Sequence, residues 1–314
     1  NFFLPMGQPP QAVTPEQVPQ REYVFVVDVS GSMYGFPLDT AKKLMSDLVN
    51  VLRPSDTFNI VVFADGFETF SPVSVPATRA NLTRALRFLG RKDGGGGTRL
   101  QAALERAVAI PRQPEWSRSI VLLTDGYIEA EAEVFDYVRD HLDDANFFAF
   151  GIGTSVKRFL IEGVAPAGLG EPFIVTEPAE ATDAAARLRR YIDSPVLTGI
   201  EVNFLGFDAY DVEPTKVPEL FANRPIVVFG KSRGSAAGFI EISGTTGRGP
   251  YRTSIPVLPE SPGTRHGALR HLWARTRIAD LSDFGPGSPG KDRVAEITSL
   301  GLTYGLLTRY TSFV

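Results

Sequence analysis

Oxygen-bearing side chains follow an apolar segment near the start of the chain. Residues 23–27 are a continuous apolar run that leads directly into Asp28-Val29-Ser30-Gly31-Ser32. This segment offers one carboxylate and two hydroxyls at alternate positions, and Gly31 permits the tight turn that aims both hydroxyls at one point. Oxygen donors of this kind suit a hard divalent cation, and Mg²⁺ prefers six ligands and keeps several waters. The segment therefore indicates part of a cation site.

Two later segments offer further oxygen donors. Four glycines at residues 94–97 are followed by Thr98, whose hydroxyl stands shortly before a predicted helix. Thr124-Asp125-Gly126 follows a second apolar run at residues 120–123 and supplies another carboxylate. The carboxyl ends of parallel strands meet at one edge of a sheet, and α/β proteins bind their ligands there. We therefore expect all three segments to lie together at such an edge.

Apolar strands alternate with amphipathic helices between residues 21 and 194. Strands are predicted at residues 23–27, 56–63, 119–123, 146–150 and 172–175. Helices are predicted at residues 37–52, 78–89, 100–110, 131–142, 156–164 and 179–191. This alternation is typical of right-handed βαβ units. It predicts an α/β fold with a doubly wound, mostly parallel sheet of Rossmann-like form.

The pattern of the sequence changes after Pro195. Apolar and polar residues then alternate in short segments separated by Gly, Pro and Asn, which predicts a small antiparallel β module. Helical spacing returns at residues 268–281 and 292–300 and is expected to continue through 303–308. The predicted units are a strand remnant with a Pro-rich linker at 1–20, an α/β domain at 21–194, a β module at 195–262 and a C-terminal helical segment at 263–314.

One segment of the β module matches a catalytic pattern. Gly230-Lys231-Ser232-Arg233-Gly234 has the G-x-S-x-G form of hydrolase nucleophiles. That form requires a helix directly after the serine, whereas the residues that follow here have the pattern of the second strand of a hairpin. We therefore expect a hairpin turn and assign no catalytic residue.

Composition excludes several classes of protein. The 314 residues carry 32 Lys and Arg against 36 Asp and Glu, a net charge of −4, so no basic surface for nucleic acid is indicated. The absence of Cys excludes thiol catalysis, cysteine-bound zinc and disulfides. No apolar run approaches the roughly 18 residues of a membrane span. The chain begins with Asn1, and we expect a signal and an anchor to lie outside it.

The three oxygen-rich segments, read as DVSGS, GGGGT and LLTDG, together resemble the metal-ion-dependent adhesion site of von Willebrand factor type A domains. Residues 35–38, 53–59 and 300–314 are similar to inter-alpha-trypsin inhibitor heavy chains and their bacterial relatives. Those proteins pair a vault-protein inter-alpha-trypsin (VIT) domain with the A domain, and residues 1–6 would be the last strand of a VIT domain. The Cys-free, Arg-rich composition favours a bacterial member.

The resemblance implies a set of metal ligands. Ser30, Ser32 and Thr98 would be the hydroxyl ligands, while Asp28 and Asp125 would act mostly through bound water. The implied cation is Mg²⁺, with Mn²⁺ or Ca²⁺ as alternatives. In such domains an acidic group of the partner fills the last metal position. A cation whose carboxylates are held behind water keeps net positive charge and attracts an external anion.

The implied function is that of an adhesion or protein-binding module, not an enzyme. Its partner would be a protein or extracellular matrix ligand that offers a carboxylate, at an extracellular, periplasmic or cell-surface location. The A domain would be an insertion whose first and last residues lie close together, and movement of the helix at 179–191 would couple it to the rest of the chain. The alternatives are a metal-assisted hydrolase, with Asp65 or Glu129 as the base, and a self-assembling scaffold in which another copy supplies the acidic ligand.

Overall fold

The chain folds into an α/β unit, an antiparallel β module and C-terminal helices. A computed structural model describes residues 1–7, 14–127, 131–154, 156–168, 170–222, 225–234, 237–258, 267–282 and 291–312. The strands are β1 (Phe2–Phe3), β2 (Met6–Gly7), β3 (Arg21–Asp28), β4 (Thr57–Phe63), β5 (Phe67–Thr69), β6 (Val75–Pro76), β7 (Ser117–Thr124), β8 (Asn146–Ile152), β9 (Phe173–Val175), β10 (Pro195–Leu205), β11 (Asp208–Glu213), β12 (Leu220–Phe221), β13 (Ile226–Val227), β14 (Phe229–Arg233), β15 (Gly238–Thr246) and β16 (Gly249–Val257). The helices are α1 (Phe36–Asn50), α2 (Arg79–Gly90), α3 (Leu100–Val108), α4 (Glu131–Asp140), α5 (Arg158–Ala167), α6 (Ala181–Ile192), α7 (Gly267–Ser282) and α8 (Lys291–Tyr304).

A seven-stranded sheet, counted over the described residues, forms the centre of the α/β unit. Its order is β5-β4-β3-β7-β8-β9, with β6 also paired to β4, and the strands from β4 to β9 along this path are parallel. Every residue of β3, β4, β7 and β8 is buried, because α1, α2 and α6 cover one face and α3, α4 and α5 cover the other. The predicted α/β fold with a doubly wound sheet is confirmed.

Antiparallel strands form the second part of the fold. β10 pairs with β12 and β15, and β15 pairs with β16, while β14 lies between β1 and β11 and β2 pairs with β13. The first residues of the chain are therefore strands of this β module. Trp273 of α7 donates its indole N–H to the carbonyl of Asp211 at 2.8 Å and packs against the rings of Phe2 and Tyr304. These contacts attach the C-terminal helices to the module.

Three segments differ from the sequence prediction. β5 and β6 form an unpredicted antiparallel addition to β4. Ser232 lies buried within strand β14 rather than in a hairpin turn, because β14 pairs on both sides with β1 and β11. The helix predicted through residue 308 is also wrong, because Gly305 takes a left-handed φ of +59° and Thr308 then pairs with Thr311 in an isolated bridge.

Among the described residues, no helix has the length and apolar content needed to cross a membrane.

Arg21 joins the points at which the chain enters and leaves the α/β unit. Its Nε and Nη2 donate to the two carboxylate oxygens of Asp56 at 2.9 and 2.7 Å. Its Nη1 donates to both the backbone carbonyl and the carboxylate of Asp193, each at 2.9 Å, and Arg53 reaches the same carboxylate at 2.7 Å. Arg21 begins β3 and Asp193 follows α6, so these two points lie side by side.

Glu219 attaches the β module to the sheet of the α/β unit. Its side chain is buried against the start of β7, where it accepts hydrogen bonds from the Ser117 hydroxyl and from the backbone N–H of Arg118, the latter at 3.3 Å. Phe221, two residues later, is fully buried in the apolar core under α1 and α6. Burial raises the pKa of Glu219 to about 7, and the hydrogen bonds from Ser117 and Arg118 offset only part of this effect.

Glu219→Gln should remove a pH dependence of stability. The folded chain holds the proton of Glu219 up to about pH 7, whereas an ordinary carboxyl releases it near 4.5, so the wild type's free energy of unfolding falls as the pH rises between these values. The fall amounts to about 3 kcal/mol. Urea unfolding at pH 5 and pH 8 should show a clearly smaller fall in the variant than in the wild type; a part of the fall remains in both, because burial also raises the pKa of Asp28. The exposed Glu115→Gln should behave like the wild type, and an unchanged pH dependence in Glu219→Gln would contradict the assignment.

Candidate metal site

Asp28 ends the central strand β3 with its carboxylate fully buried. One oxygen accepts the backbone N–H of Ser30 at 2.9 Å, and the other accepts the hydroxyl of Thr124 at 2.6 Å. The Ser30 hydroxyl lies 3.2 Å from that of Ser32, which is exposed. Both oxygens of Asp28 thus accept hydrogen bonds from protein donors, while the hydroxyl of the buried Ser30 lies next to that of the exposed Ser32.

The glycine run is held against this first loop by backbone hydrogen bonds. Gly31 N–H donates to the carbonyl of Gly96 at 3.0 Å, and Gly95 N–H donates to the carbonyl of Val29 at 2.9 Å. Asp65, in the loop after β4, accepts the N–H of Gly97 at 2.8 Å. These bonds fix the loop that ends in the half-buried Thr98 beside the loop of Ser30 and Ser32.

The third segment lies at the end of β7, next to β3. Asp125 is buried, and its carboxylate accepts the backbone N–H of Tyr127 at 3.2 Å. Its carbonyl accepts the N–H of Lys157 at 2.9 Å. Gly126 has a φ of +87°, and a Cβ there would lie 2.7 Å from the carbonyl oxygen of Lys157, so only glycine suits this turn.

The two buried carboxylates make this edge of the sheet favourable for a cation. Burial raises the pKa of Asp28 to about 6, the hydrogen bonds from Ser30 and Thr124 lower it in part, and the charge of Asp125 raises it further. In the described part of the chain, no lysine or arginine forms an ion pair with Asp28 or Asp125. A bound cation would supply the positive charge that these carboxylates lack.

The donor set is compatible with a divalent metal ion. Neighbouring ligands of an octahedral Mg²⁺ at about 2.0–2.1 Å lie about 2.9 Å apart. The 3.2 Å between the hydroxyls of Ser30 and Ser32 is close to this spacing. Over the described residues, no group of three or more His, Cys, Asp and Glu side chains forms a metal cluster. The candidate site thus combines hydroxyls with two carboxylates.

The structure brings the three predicted segments to one sheet edge and gives Thr124 and Asp65 positioning roles that the sequence did not assign to them. Thr124 donates to Asp28, and Asp65 holds the glycine loop. The parallel register pairs Val27 with Leu123, which sets Thr124 opposite Asp28. This strand register is the signal that would identify the role of Thr124, and reading it from the sequence requires knowing that β3 and β7 are neighbours. Glu129, named as an alternative base, lies outside the described residues.

Comparison with known proteins gives matches over part and over all of the chain. Residues 21–171 match the family model described as von Willebrand factor type A domain. A von Willebrand factor A domain-containing protein of Dictyostelium discoideum is 27% identical over 322 residues, which cover 100% of this chain and 34% of that protein. Inter-alpha-trypsin inhibitor heavy chain H3 of Bos taurus is 25% identical, with 100% of this chain and 37% of that protein covered. The chain thus spans about a third of the length of these curated relatives.

Solved structures share the fold. A von Willebrand factor type A protein from Catenulispora acidiphila has a TM-score of 0.63 at 17% identity, with 97% of this chain and 87% of that chain covered. A Sulfolobus acidocaldarius protein described as an ArnB paralog has a TM-score of 0.54 at 15% identity, with 97% and 90% covered. At these identities the likeness shows the fold alone.

Thr124→Val should destabilise the chain by leaving one oxygen of the buried Asp28 without its donor and the backbone N–H of Gly126 without its acceptor. Loss of a hydrogen bond to a buried polar group costs about 1–3 kcal/mol. Thr83→Val is the matched control, because the hydroxyl of Thr83 is exposed on α2 and bonds only the carbonyl of Arg79; it should change stability by less than about 0.5 kcal/mol. Urea unfolding in EDTA measures both, and equal stabilities would argue against the role of Thr124.

Proposed function

Because residues 21–171 form a von Willebrand factor type A domain, we propose that the protein is an interaction module whose bound divalent cation captures a carboxylate of a protein or matrix partner. Ser30, Ser32 and Thr98 would hold the ion directly, and Asp28 and Asp125 would act through water. The ion would supply an electrophilic position for an external carboxylate. The proposal includes Mg²⁺ as the cation, with Mn²⁺ or Ca²⁺ as alternatives, and an extracellular, periplasmic or cell-surface location.

The observation that carries this proposal is the contrast between the buried carboxylates and the exposed hydroxyl. Asp28 uses both oxygens on Ser30 and Thr124, and Asp125 uses one on Tyr127. Ser32, in contrast, is exposed. Neutral hydroxyls in direct contact would leave a cation with most of its positive charge, and an acidic side chain from outside would complete its coordination.

The residue arrangement favours binding over hydrolysis. A metal-assisted hydrolase needs a general base or nucleophile placed beside the metal. Asp65, named for that role from the sequence, instead accepts the N–H of Gly97 and thereby fixes the loop of Thr98. Ser232 is buried in strand β14 of the β module, in a segment that pairs with β1 and β11 and contributes nothing to this sheet edge.

Ser32→Ala should abolish stabilisation by Mg²⁺ without disturbing the fold, because its side chain is exposed. A ligand that binds only the folded state stabilises it by about 2.7 kcal/mol at a hundredfold excess over its dissociation constant. Thermal unfolding in MgCl₂ and in EDTA should therefore differ for the wild type and coincide for Ser32→Ala and Thr98→Ala. Ser55→Ala, an exposed serine before β4, should keep the wild-type difference.

Identical melting of the wild type in MgCl₂ and EDTA would overturn the metal site. Sedimentation of the wild type under the same two conditions tests the scaffold alternative. A Mg²⁺-dependent increase in mass would identify another copy of this chain as the source of the carboxylate, whereas an unchanged monomer would favour a different partner.

A further inference from the structure

A groove of about 690 Å³ begins at Thr98 and follows one side of α3. We call it the α3 groove. Its polar lining residues include Asp65, Arg99, Gln101, Glu105 and Tyr127. Leu100 and Val134 form a buried apolar floor, and Tyr127 is half-exposed at the side. A chain whose carboxylate reaches a cation at Thr98 would therefore continue into this groove.

Over the part of the chain that the structure describes, Arg99 is the charged side chain of the α3 groove without a hydrogen-bond or ion-pair partner. Asp65 accepts the N–H of Gly97, and Glu105 accepts the side-chain amide of Gln101 at 3.0 Å. Arg99 is exposed, and its backbone N–H is fixed by the carbonyl of Ala64 at 2.9 Å. All the lining residues belong to the described part of the chain. Of their charged groups, the guanidinium of Arg99 is the one that forms neither a hydrogen bond nor an ion pair with described residues.

An acidic segment complements these charges. A guanidinium binds carboxylates through paired hydrogen bonds, so a second carboxylate of the ligand suits Arg99. A basic segment would be repelled by both the cation and Arg99. The carboxylates of Asp65 and Glu105 are less available to such a segment, because they already accept hydrogen bonds from neighbouring groups. The half-exposed ring of Tyr127 offers an amphipathic surface against which a peptide backbone can pack.

We propose that the α3 groove binds an extended acidic peptide segment of the partner, with one carboxylate at the cation and a second carboxylate at Arg99. This inference rests on the proposed function, because the first carboxylate needs the metal. It adds the chemistry of the partner: two acidic residues close together in an extended segment.

Blocked glycine peptides with one aspartate, or with two aspartates separated by zero, one or two glycines, test this inference. Binding is measured by chemical-shift titration of the wild type in MgCl₂ and in EDTA. We expect at least one of the two-aspartate peptides to bind about three- to fivefold more tightly than the one-aspartate peptide, as for an exposed ion pair of up to about 1 kcal/mol. Two equivalent carboxylates by themselves give a statistical gain of about twofold, so Arg99→Gln should fall to that level and still bind the one-aspartate peptide in a Mg²⁺-dependent way.

Arg275→Gln is the matched control, because Arg275 is exposed on α7 and does not line the α3 groove. It should keep the full gain from the second aspartate. A gain no larger than about twofold in the wild type, or a larger gain that survives in Arg99→Gln, would overturn the inference and leave the proposed function standing. Absence of Mg²⁺-dependent binding of the one-aspartate peptide would instead overturn the proposed function and this inference with it.

Discussion

The buried contact of Arg21 with Asp56 and Asp193 is the constraint on which the arrangement of the α/β unit depends. It ties the start of the central strand β3 to the segment before β4 and to the end of α6. Removing one partner from a buried ion pair costs about 3–5 kcal/mol, since it leaves an uncompensated charge. This junction lies at the amino ends of the strands. The opposite edge of the sheet, with Asp28 and Asp125, therefore carries no part of this connection between the α/β unit and the rest of the chain, and its loops can be specialised for a ligand.

At that edge the fold buries carboxylate charge and offsets the cost only in part. Asp28 gains two donors, yet burial still raises its pKa to about 6. Among the described residues, Asp28 and Asp125 have no basic partner. A cation that binds next to these carboxylates would therefore stabilise the folded state. In the proposed metal site, affinity for the cation and stability of the fold would thus be linked through the same side chains. The glycine loop contributes by bringing Thr98 close without adding side chains of its own, and Asp65 keeps that loop in place.

The sequence predicted those parts of the fold and site that depend on local pattern. Buried strands such as β3 and β7 show as apolar runs, and the polar residues directly after them show where the site lies. Thr124 and Asp65 could not be assigned their roles in this way, because these depend on strand register and on a loop contact between distant residues. The Gly-flanked polar segment around Ser232 has the pattern of a turn, whereas pairing of β14 with β1, more than 200 residues away in the chain, makes it a strand. The domain boundaries at 194 and 262 and the metal ligands stay predictions.

The contacts of α6 bear on whether binding at the proposed metal site is transmitted to the β module. Movement of this helix is the predicted route, yet both its ends are held. Asp193, directly after its last turn, bonds Arg21 and Arg53, and Thr182 in its first turn donates to Asp47 of α1 at 2.9 Å. A shift of α6 would break the part-buried contact of Asp193 with Arg21, so a partner would have to bind the shifted state more tightly by at least the free energy of that contact. β3 offers a more direct connection between the metal-site edge of the sheet and the β module, since it runs from Arg21 to Asp28 over roughly 25 Å. Because all of its residues are buried between paired strands, it connects the two edges as a rigid element. The structure therefore favours a fixed docking edge on a rigid support over a moving helix.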